Sequence, residues 1–187
     1  MAKKAIVLLA DGFEDVEAVT PIDYLQRAGI EVTTVSISET PNVTSKWGGI
    51  KVTAATTLAQ IAKQGTSGYD AIILPGGMPG TANLAASKET GSLVKEMAAG
   101  GKLVCAICAA PALVLAPLGL LDGKKFTCYP GMEEKAANGK WSGDRVVTDG
   151  NFITSRGAGT AGEFAVAIIE KLLDKAAAQK IADAVLL

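Results

Sequence analysis

Two cysteines three positions apart, Cys105 and Cys108, lie in the segment KLVCAICAAPALVLA, between a β-type apolar run and an alanine-rich helical run. The chain has a third cysteine, Cys128, and it contains no histidine. A cysteine nucleophile usually loses its proton to a neighbouring histidine. The sequence therefore raises the question of which group activates one of these thiols, if any of them reacts.

Cys108 stands where a predicted strand passes directly into a predicted helix, the arrangement of a nucleophile elbow. Ala106, Ala109 and Ala110 are small enough for such a tight turn, and Pro111 suits a first helical turn. Free N–H groups at a helix start favour a thiolate, although a further hydrogen-bond donor is needed to ionise most of the thiol. We therefore expect Cys108 to be a nucleophile whose pKa lies below the ordinary value of about 8.5.

Other interpretations of the two cysteines remain open from the residues alone. Free cysteines are commonly buried as small apolar side chains, and this is the favoured interpretation of Cys105, in the middle of a strand. It is less favoured for Cys108. A C-x-x-C redox pair is a third possibility, but in the thioredoxin motif both cysteines lie at a helix start.

A group of carboxylates follows the first predicted strand in the segment ADGFEDVEAV. Acidic residues in a first helical turn complement the helix dipole, and this accounts for Glu14 and Asp15. Glu17 lies at the edge of the apolar helix face instead, so we expect it to be buried and protonated. A protonated glutamate can donate a hydrogen bond to a thiolate and act as acid or base. The functional and structural interpretations of Glu17 both remain open at this point.

The glycine pair of ILPGGMPG, Gly76 and Gly77, follows another buried strand and lacks the G-K-[ST] ending of a phosphate-binding loop. Such a pair is either an ordinary turn or an oxyanion site formed by one of its N–H groups with that of Ala109.

Two features of the segment TSRGAGTAGE are predicted to be structural. Thr160 and Glu163 have the spacing of a capping box. Arg156 is expected to bind a backbone carbonyl rather than an anion.

The candidate site residues follow predicted strands, so they meet only in a fold that brings strand ends together. The apolar patterns predict such a fold. Strands are predicted at 4–10, 31–38, 50–54, 69–75, 102–107, 144–149 and 151–155, and helices at 14–28, 58–63, 92–99, 109–116, 162–175 and 176–187. Pro21, with Thr20 as cap, is expected to kink or restart the first helix. The alternation predicts a flavodoxin-like doubly wound sandwich with a mainly parallel sheet, formed by one domain over 1–187. Its site is expected beyond the carboxyl ends of the strands.

The composition argues against several classes of function. Apolar residues make up 49% of the 187 residues. The formal net charge is -1, and the sequence has no long basic runs. Neither a nucleic-acid surface nor a membrane surface is therefore expected. The apolar stretch near the N-terminus is too short for a signal peptide, and three cysteines cannot all pair within one chain. We expect a reduced, cytoplasmic protein.

Five segments together resemble one known family: LADGFEDVEAVTPIDYLQRAGIEVT, YDAIILPGGMPG, AICAAPALVLA, TCYPGMEEK and TSRGAGT. The chain is similar to the ThiJ/PfpI superfamily, in its DJ-one (Parkinson-disease protein) branch. The resemblance implies a class I glutamine amidotransferase-like sandwich that forms homodimers and needs no cofactor or metal. It also implies that Cys108 is a readily oxidised nucleophile hydrogen-bonded by protonated Glu17. Gly76, Gly77 and Ala109 match positions whose amides line the pocket.

The resemblance also has departures that bear on function. Many members carry a histidine where this chain has Tyr129, and the protease-like branch has one where this chain has Ala109. A Cys-His protease is therefore not expected. The resemblance suggests a glyoxalase or deglycase that acts on small carbonyls or glycated proteins through a Cys108 hemithioacetal, with Glu17 as acid and base. The alternative is a non-enzymatic oxidative-stress sensor or chaperone that uses oxidation of Cys108.

Overall fold

The computed structural model describes residues 2–187, which contain a seven-stranded central sheet. Its order is β10-β11-β7-β6-β1-β2-β5, and every neighbouring pair is parallel except β10 with β11. The strands are β1 Lys4–Leu9, β2 Glu31–Ser36, β5 Thr56–Thr57, β6 Ala71–Leu74, β7 Leu103–Ile107, β10 Val146–Asp149 and β11 Phe152–Ser155. The predicted mainly parallel sheet is confirmed.

Helices cover both faces of this sheet. The helices are α1 Asp15–Arg27, α2 Leu58–Gln64, α3 Gly80–Ala86, α4 Lys88–Ala99, α5 Ala161–Leu172 and α6 Lys175–Ala184. Side chains alternate across a strand, so Ile6 and Leu8 of β1 pack with α2, α3 and α4, whereas Val7 and Leu9 pack with α1, α5 and α6. The doubly wound sandwich predicted from the sequence is therefore the fold observed.

Three smaller differences concern the local elements. Helix α1 is continuous through Pro21, which is buried in its second turn, so the predicted restart at Thr20 is wrong. Helix α4 begins four residues before the predicted start, because the Ser87 side chain accepts a hydrogen bond from the Thr90 N–H and caps it. Helix α3 and strand β3 Asn42–Thr44 were not predicted; β3 forms a hairpin with β4 Lys51–Thr53, which lies within the strand predicted at 50–54.

The helix that follows β7 is wound more widely than predicted. Pro111–Leu115 is a π-helical turn, in which the Ala116 N–H donates to the Pro111 carbonyl five residues earlier. This turn lies within the helix predicted at 109–116 and begins at Pro111, the residue that suits a first helical turn. Two short strands, β8 Lys125–Phe126 and β9 Lys140–Trp141, form a separate parallel pair.

The predicted capping box of Thr160 and Glu163 is wrong. The Thr160 hydroxyl instead exchanges hydrogen bonds with the backbone of Gly157. The Glu163 carboxylate accepts a hydrogen bond from the Arg145 guanidinium at 2.7 Å. Arg156 donates to the carbonyl of Gly143, as predicted.

Within residues 2–187, no helix combines the length and the apolar character needed to cross a membrane. The same residues contain no group of three or more His, Cys, Asp or Glu side chains placed to hold a metal ion. The cytoplasmic location stays a prediction.

Cys105 allows a test of the interpretation that it only fills the core. It lies in β7 between Ile73 and Ile153 of the flanking strands and is 0% exposed. Replacing it with serine should lower the free energy of unfolding by about 1–3 kcal/mol, because a hydroxyl loses hydration there. Urea denaturation of Cys105→Ser measures this, with Cys108→Ser as the same change at a partly exposed position. Equal and small losses of unfolding free energy in Cys105→Ser and Cys108→Ser would contradict the interpretation that Cys105 only fills the core.

Candidate active site

Cys108 follows the last residue of β7 and has a left-handed backbone, with a φ of 65°. Residues other than glycine rarely adopt this conformation, so surrounding contacts must hold it. The Cys108 N–H donates to the Ser155 carbonyl at 2.9 Å, and its carbonyl accepts from the Tyr129 N–H at 2.8 Å. These bonds to two other segments fix the turn and aim the thiol outward from the strand end, as the elbow interpretation requires.

Glu17 reaches the same place from the first turn of α1. The Glu14 side chain caps this helix by accepting the Glu17 N–H at 2.8 Å. The Glu17 side chain is turned inward and the residue is only 1% exposed. Its Oε2 accepts the Gly76 N–H at 2.9 Å, and its carboxylate also accepts the Cys108 thiol proton. The structure therefore places the two predicted site residues in direct contact.

Gly76 lies beside both the thiol and the carboxyl group and leaves no room for a side chain. A Cβ atom there would collide with Glu17 Oε2 and lie 2.6 Å from Cys108 Cβ. The next residue, Gly77, has a φ of 92°, and a Cβ on it would collide with the backbone of Glu14. Both glycines are therefore required sterically, in addition to any use of their N–H groups.

The amides near the thiol have different partners. The N–H groups of Gly77 and Ala109 donate to the Cys108 sulfur and stabilise negative charge on it. The Gly76 N–H is occupied by Glu17. Either glycine N–H was predicted as the oxyanion amide, and the structure places the N–H of Gly77 beside the Cys108 sulfur. The N–H of Gly76 binds the Glu17 carboxylate instead.

Burial governs the ionisation of Glu17 and Cys108. It raises the pKa of Glu17 to about 7, against the hydrogen bonds from Cys108 and Gly76. Burial, followed by the charge and hydrogen bond of Glu17, raises the pKa of the Cys108 thiol to about 12. The low thiol pKa predicted from the sequence is therefore wrong in direction, because burial and a facing carboxylate outweigh the helix start. The pair loses one proton near neutral pH and keeps the other far into the alkaline range.

The thiol opens into a cavity of about 460 Å³. The predicted site residues Cys108, Glu17, Gly77, Ala109 and Tyr129 all line it, whereas Gly76 does not. The rest of the wall comes from residues that the sequence interpretation did not assign to the site: Glu14, Lys46, Trp47, Met78, Pro130, Met132 and Ala158.

Lys46 and Trp47 belong to the turn that joins β3 and β4. The Lys46 N–H donates to the Phe13 carbonyl at 2.7 Å, and the Asp11 carboxylate accepts the Thr44 N–H at 2.8 Å. Through these bonds the loop after β1 holds the hairpin against the cavity. A tryptophan followed by two glycines in SKWGG was the available signal for an exposed turn of this kind.

The three cysteines have different environments, and all are free thiols. Cys105 is fully buried, and burial raises its pKa well above the ordinary range. Cys128 is also buried and does not line the cavity. Cys108 alone among them is partly exposed, so the geometry favours the single-nucleophile interpretation over a redox pair with Cys105.

The family model described as "DJ-1/PfpI family" matches residues 3–171. The chain belongs to the DJ-1/PfpI family. Protein dj-1beta of Drosophila melanogaster is 40% identical over 188 residues, which cover 100% of this chain and 98% of that protein. The "Glutathione-independent glyoxalase DJR-1.2" of Caenorhabditis elegans is 35% identical, over 91% of this chain and 89% of that protein.

Other DJ-1/PfpI relatives are longer than this chain. "Protein DJ-1 homolog B" of Arabidopsis thaliana is 43% identical over 96% of this chain, which spans only 40% of that protein. Among solved structures, Drosophila DJ-1beta superposes with a TM-score of 0.93, at 40% identity and coverage of 100% and 99% of the two chains. "Toxoplasma gondii DJ-1, oxidized" superposes with a TM-score of 0.92, at 38% identity and coverage of 99% and 98%.

The ionisation of Glu17 and Cys108 predicts how the rate at which iodoacetamide alkylates the Cys108 thiol depends on pH. In the wild type the thiol pKa of about 12 keeps the thiolate scarce, so the rate should still be rising at the alkaline end of the pH range. In Glu17→Gln the charge and hydrogen bond that raise the thiol pKa are lost, so the midpoint should move to lower pH and the rate at pH 9 should rise. Mass spectrometry of the Cys108 peptide measures both.

Glu134→Gln is the control for this experiment. It removes an exposed carboxylate that neither lines the cavity nor raises the thiol pKa. Its midpoint should stay close to that of the wild type. Identical profiles for the wild type and Glu17→Gln would show that the Glu17 carboxylate does not set the thiol pKa.

Proposed function

We propose that this chain is a cofactor-independent glyoxalase that converts a 2-oxoaldehyde such as methylglyoxal and water into a 2-hydroxy acid. The observation that supports this most directly is the contact of the Cys108 thiol with the Glu17 carboxylate, beside the N–H groups of Gly77 and Ala109. A nucleophile, one acid–base group and an oxyanion site are what this reaction needs. A relative that carries the name of glutathione-independent glyoxalase adds support.

The first step in this mechanism is attack of the Cys108 sulfur on the aldehyde carbon. Glu17 takes the thiol proton while the new C–S bond forms, and the carbonyl electron pair moves onto oxygen. The N–H groups of Gly77 and Ala109, which donate to the sulfur in the free protein, stabilise the developing oxyanion. Glu17 then returns the proton to this oxygen, which completes a hemithioacetal.

The second step moves a proton within the bound substrate. Glu17 removes the hydrogen on the former aldehyde carbon as a proton, and the proton of the hemithioacetal hydroxyl passes to the neighbouring ketone oxygen, which leaves an enediolate. Glu17 returns its proton to the neighbouring carbon as the enediolate oxygen re-forms a C=O bond, which gives a thioester of the 2-hydroxy acid. Water then attacks the thioester with Glu17 as base, the C–S bond breaks, and the thiol is restored. The balance is one aldehyde plus one water, without an external oxidant or reductant.

Glu17 suits these steps because its pKa of about 7 lets it both accept and donate protons near neutral pH. Tyr129 also lines the cavity and provides a phenol that can donate a hydrogen bond to the second substrate oxygen. The expected deglycase reaction on early glycation adducts would use the same attack by Cys108 on a carbonyl carbon.

Purified protein should produce lactate from methylglyoxal. Cys108→Ser should reduce turnover to background, and Glu17→Gln should reduce kcat by about 10²–10⁴, the usual contribution of a general acid–base group. Cys128→Ser is the matched control, because this thiol is buried and does not line the cavity. Enzymatic determination of lactate measures all four proteins. Wild-type turnover no faster than that of Cys108→Ser would refute the glyoxalase proposal.

Oxidation of Cys108 is a second candidate function, favoured by the partial exposure of this thiol and by the two amides at its sulfur. Each equivalent of peroxide would transfer one oxygen to the sulfur and leave as water, so two equivalents give a sulfinate. The same amides and protonated Glu17 would then hydrogen-bond the sulfinate oxygens. The relative from Toxoplasma was solved in a form described as oxidized.

Mild peroxide should therefore add two oxygen atoms to the intact protein, both on the peptide that contains Cys108. Peptide mass spectrometry locates them, and Cys108→Ser should gain none. Oxidation that falls first on Cys105 or Cys128 would contradict a sensor role for Cys108.

The homodimer expected from the resemblance stays a proposal. In its support, Val16 and Val19 are 46% and 44% exposed on α1, close to the start of the helix that carries Glu17. Apolar side chains exposed together on a helix are typical of an interface.

A further inference from the structure

The mouth of the Cys108 cavity is apolar although it faces water. Trp47, Met78 and Tyr129 are 74%, 47% and 52% exposed, and all three line this one cavity. Large apolar side chains gathered at the mouth of a pocket are typical of a ligand-binding surface. We propose that the site selects 2-oxoaldehydes that carry an aromatic or similarly large apolar substituent, an inference that rests on the proposed glyoxalase function.

The size of the cavity supports a substrate larger than methylglyoxal. Its volume of about 460 Å³ falls in the range of roughly 300–1,000 Å³ that is typical of pockets for drug-sized ligands. Methylglyoxal has five non-hydrogen atoms, and its two carbonyl groups are used at Cys108 and Glu17. A single methyl group would leave the outer wall, formed by Trp47, Met78 and Met132, without a contact.

The charges around the cavity favour an uncharged substituent. Among the described residues that line it, the ionisable acids and bases with charge near neutral pH are Glu14, Glu17 and Lys46. The Lys46 ammonium lies over the Trp47 ring, 4.6 Å from its centroid. Two carboxyl groups outnumber this one ammonium, so the cavity does not attract an anionic substituent.

Trp47 is the residue best placed to distinguish substituents. The hairpin turn that carries it is closed by the Gly48 N–H donating to the Ser45 carbonyl at 2.9 Å, so the backbone at Trp47 is held in place. Its side chain is mostly exposed and has little role in the core. Its removal should therefore change substrate selection and leave the fold and the reacting groups intact.

The ratio of kcat/KM for phenylglyoxal to that for methylglyoxal tests this inference, with mandelate and lactate as the products measured. The wild-type ratio should exceed one, and Trp47→Ala should lower it about fivefold to tenfold. Trp47→Phe should restore most of the ratio. Trp141→Ala is the matched control, an exposed tryptophan that does not line the cavity, and should leave the ratio unchanged. Cys108→Ser gives the uncatalysed background for both aldehydes.

The outcomes separate this inference from the function on which it rests. Turnover of neither aldehyde would overturn the glyoxalase proposal and the substituent preference together. Turnover of methylglyoxal with a ratio that Trp47→Ala does not change would overturn the preference alone. A lower sedimentation mass for Trp47→Ala at an unchanged ratio would show that the apolar mouth is an interface between copies of the chain, and would also overturn it.

Discussion

The hydrogen bond between the Cys108 thiol and the Glu17 carboxylate is the interaction on which the rest of the site depends. Both groups are acids, both are largely removed from water, and they are close enough to share one proton. Two negative charges at this distance in a buried site are strongly unfavourable, so the pair carries one negative charge over a wide pH range. The amides of Gly76 on the carboxylate and of Gly77 and Ala109 on the sulfur let that charge sit on either partner.

This sharing gives the proposed reaction an acid–base group in a chain that has no histidine. A general acid–base group is most effective when its pKa lies near the working pH, and burial is the main cause that moves the pKa of Glu17 into that range. The glyoxalase proposal and the oxidation proposal use the same groups. In each, negative charge develops on oxygen atoms next to the Cys108 sulfur, where the amides can bind them. They differ in the electrophile that reaches Cys108, an aldehyde carbon or a peroxide oxygen.

Local sequence patterns predicted what depends on local structure. The parallel strands, the elbow at Cys108 and the burial of Glu17 followed from apolar runs, small neighbours and helix periodicity. The hairpin that carries Trp47 was missed because its position depends on hydrogen bonds to the distant loop at Asp11 and Phe13. The direction of the Cys108 pKa was also missed. A helix start is visible in the sequence, whereas the depth of burial and the orientation of a facing carboxylate are properties of the packed fold.

The groups proposed to react and the residues proposed to select the substrate come from different parts of the fold. The reacting groups come from strand ends and helix starts: Cys108 is fixed by Ser155 of β11, and Glu17 by the cap of α1 and the backbone of Gly76. These positions cannot change without disturbing the sheet. The outer wall comes from connecting segments, which tolerate change because few core contacts depend on them. Selection among carbonyl substrates should therefore vary through residues such as Trp47, while the thiol, carboxylate and amides stay in place.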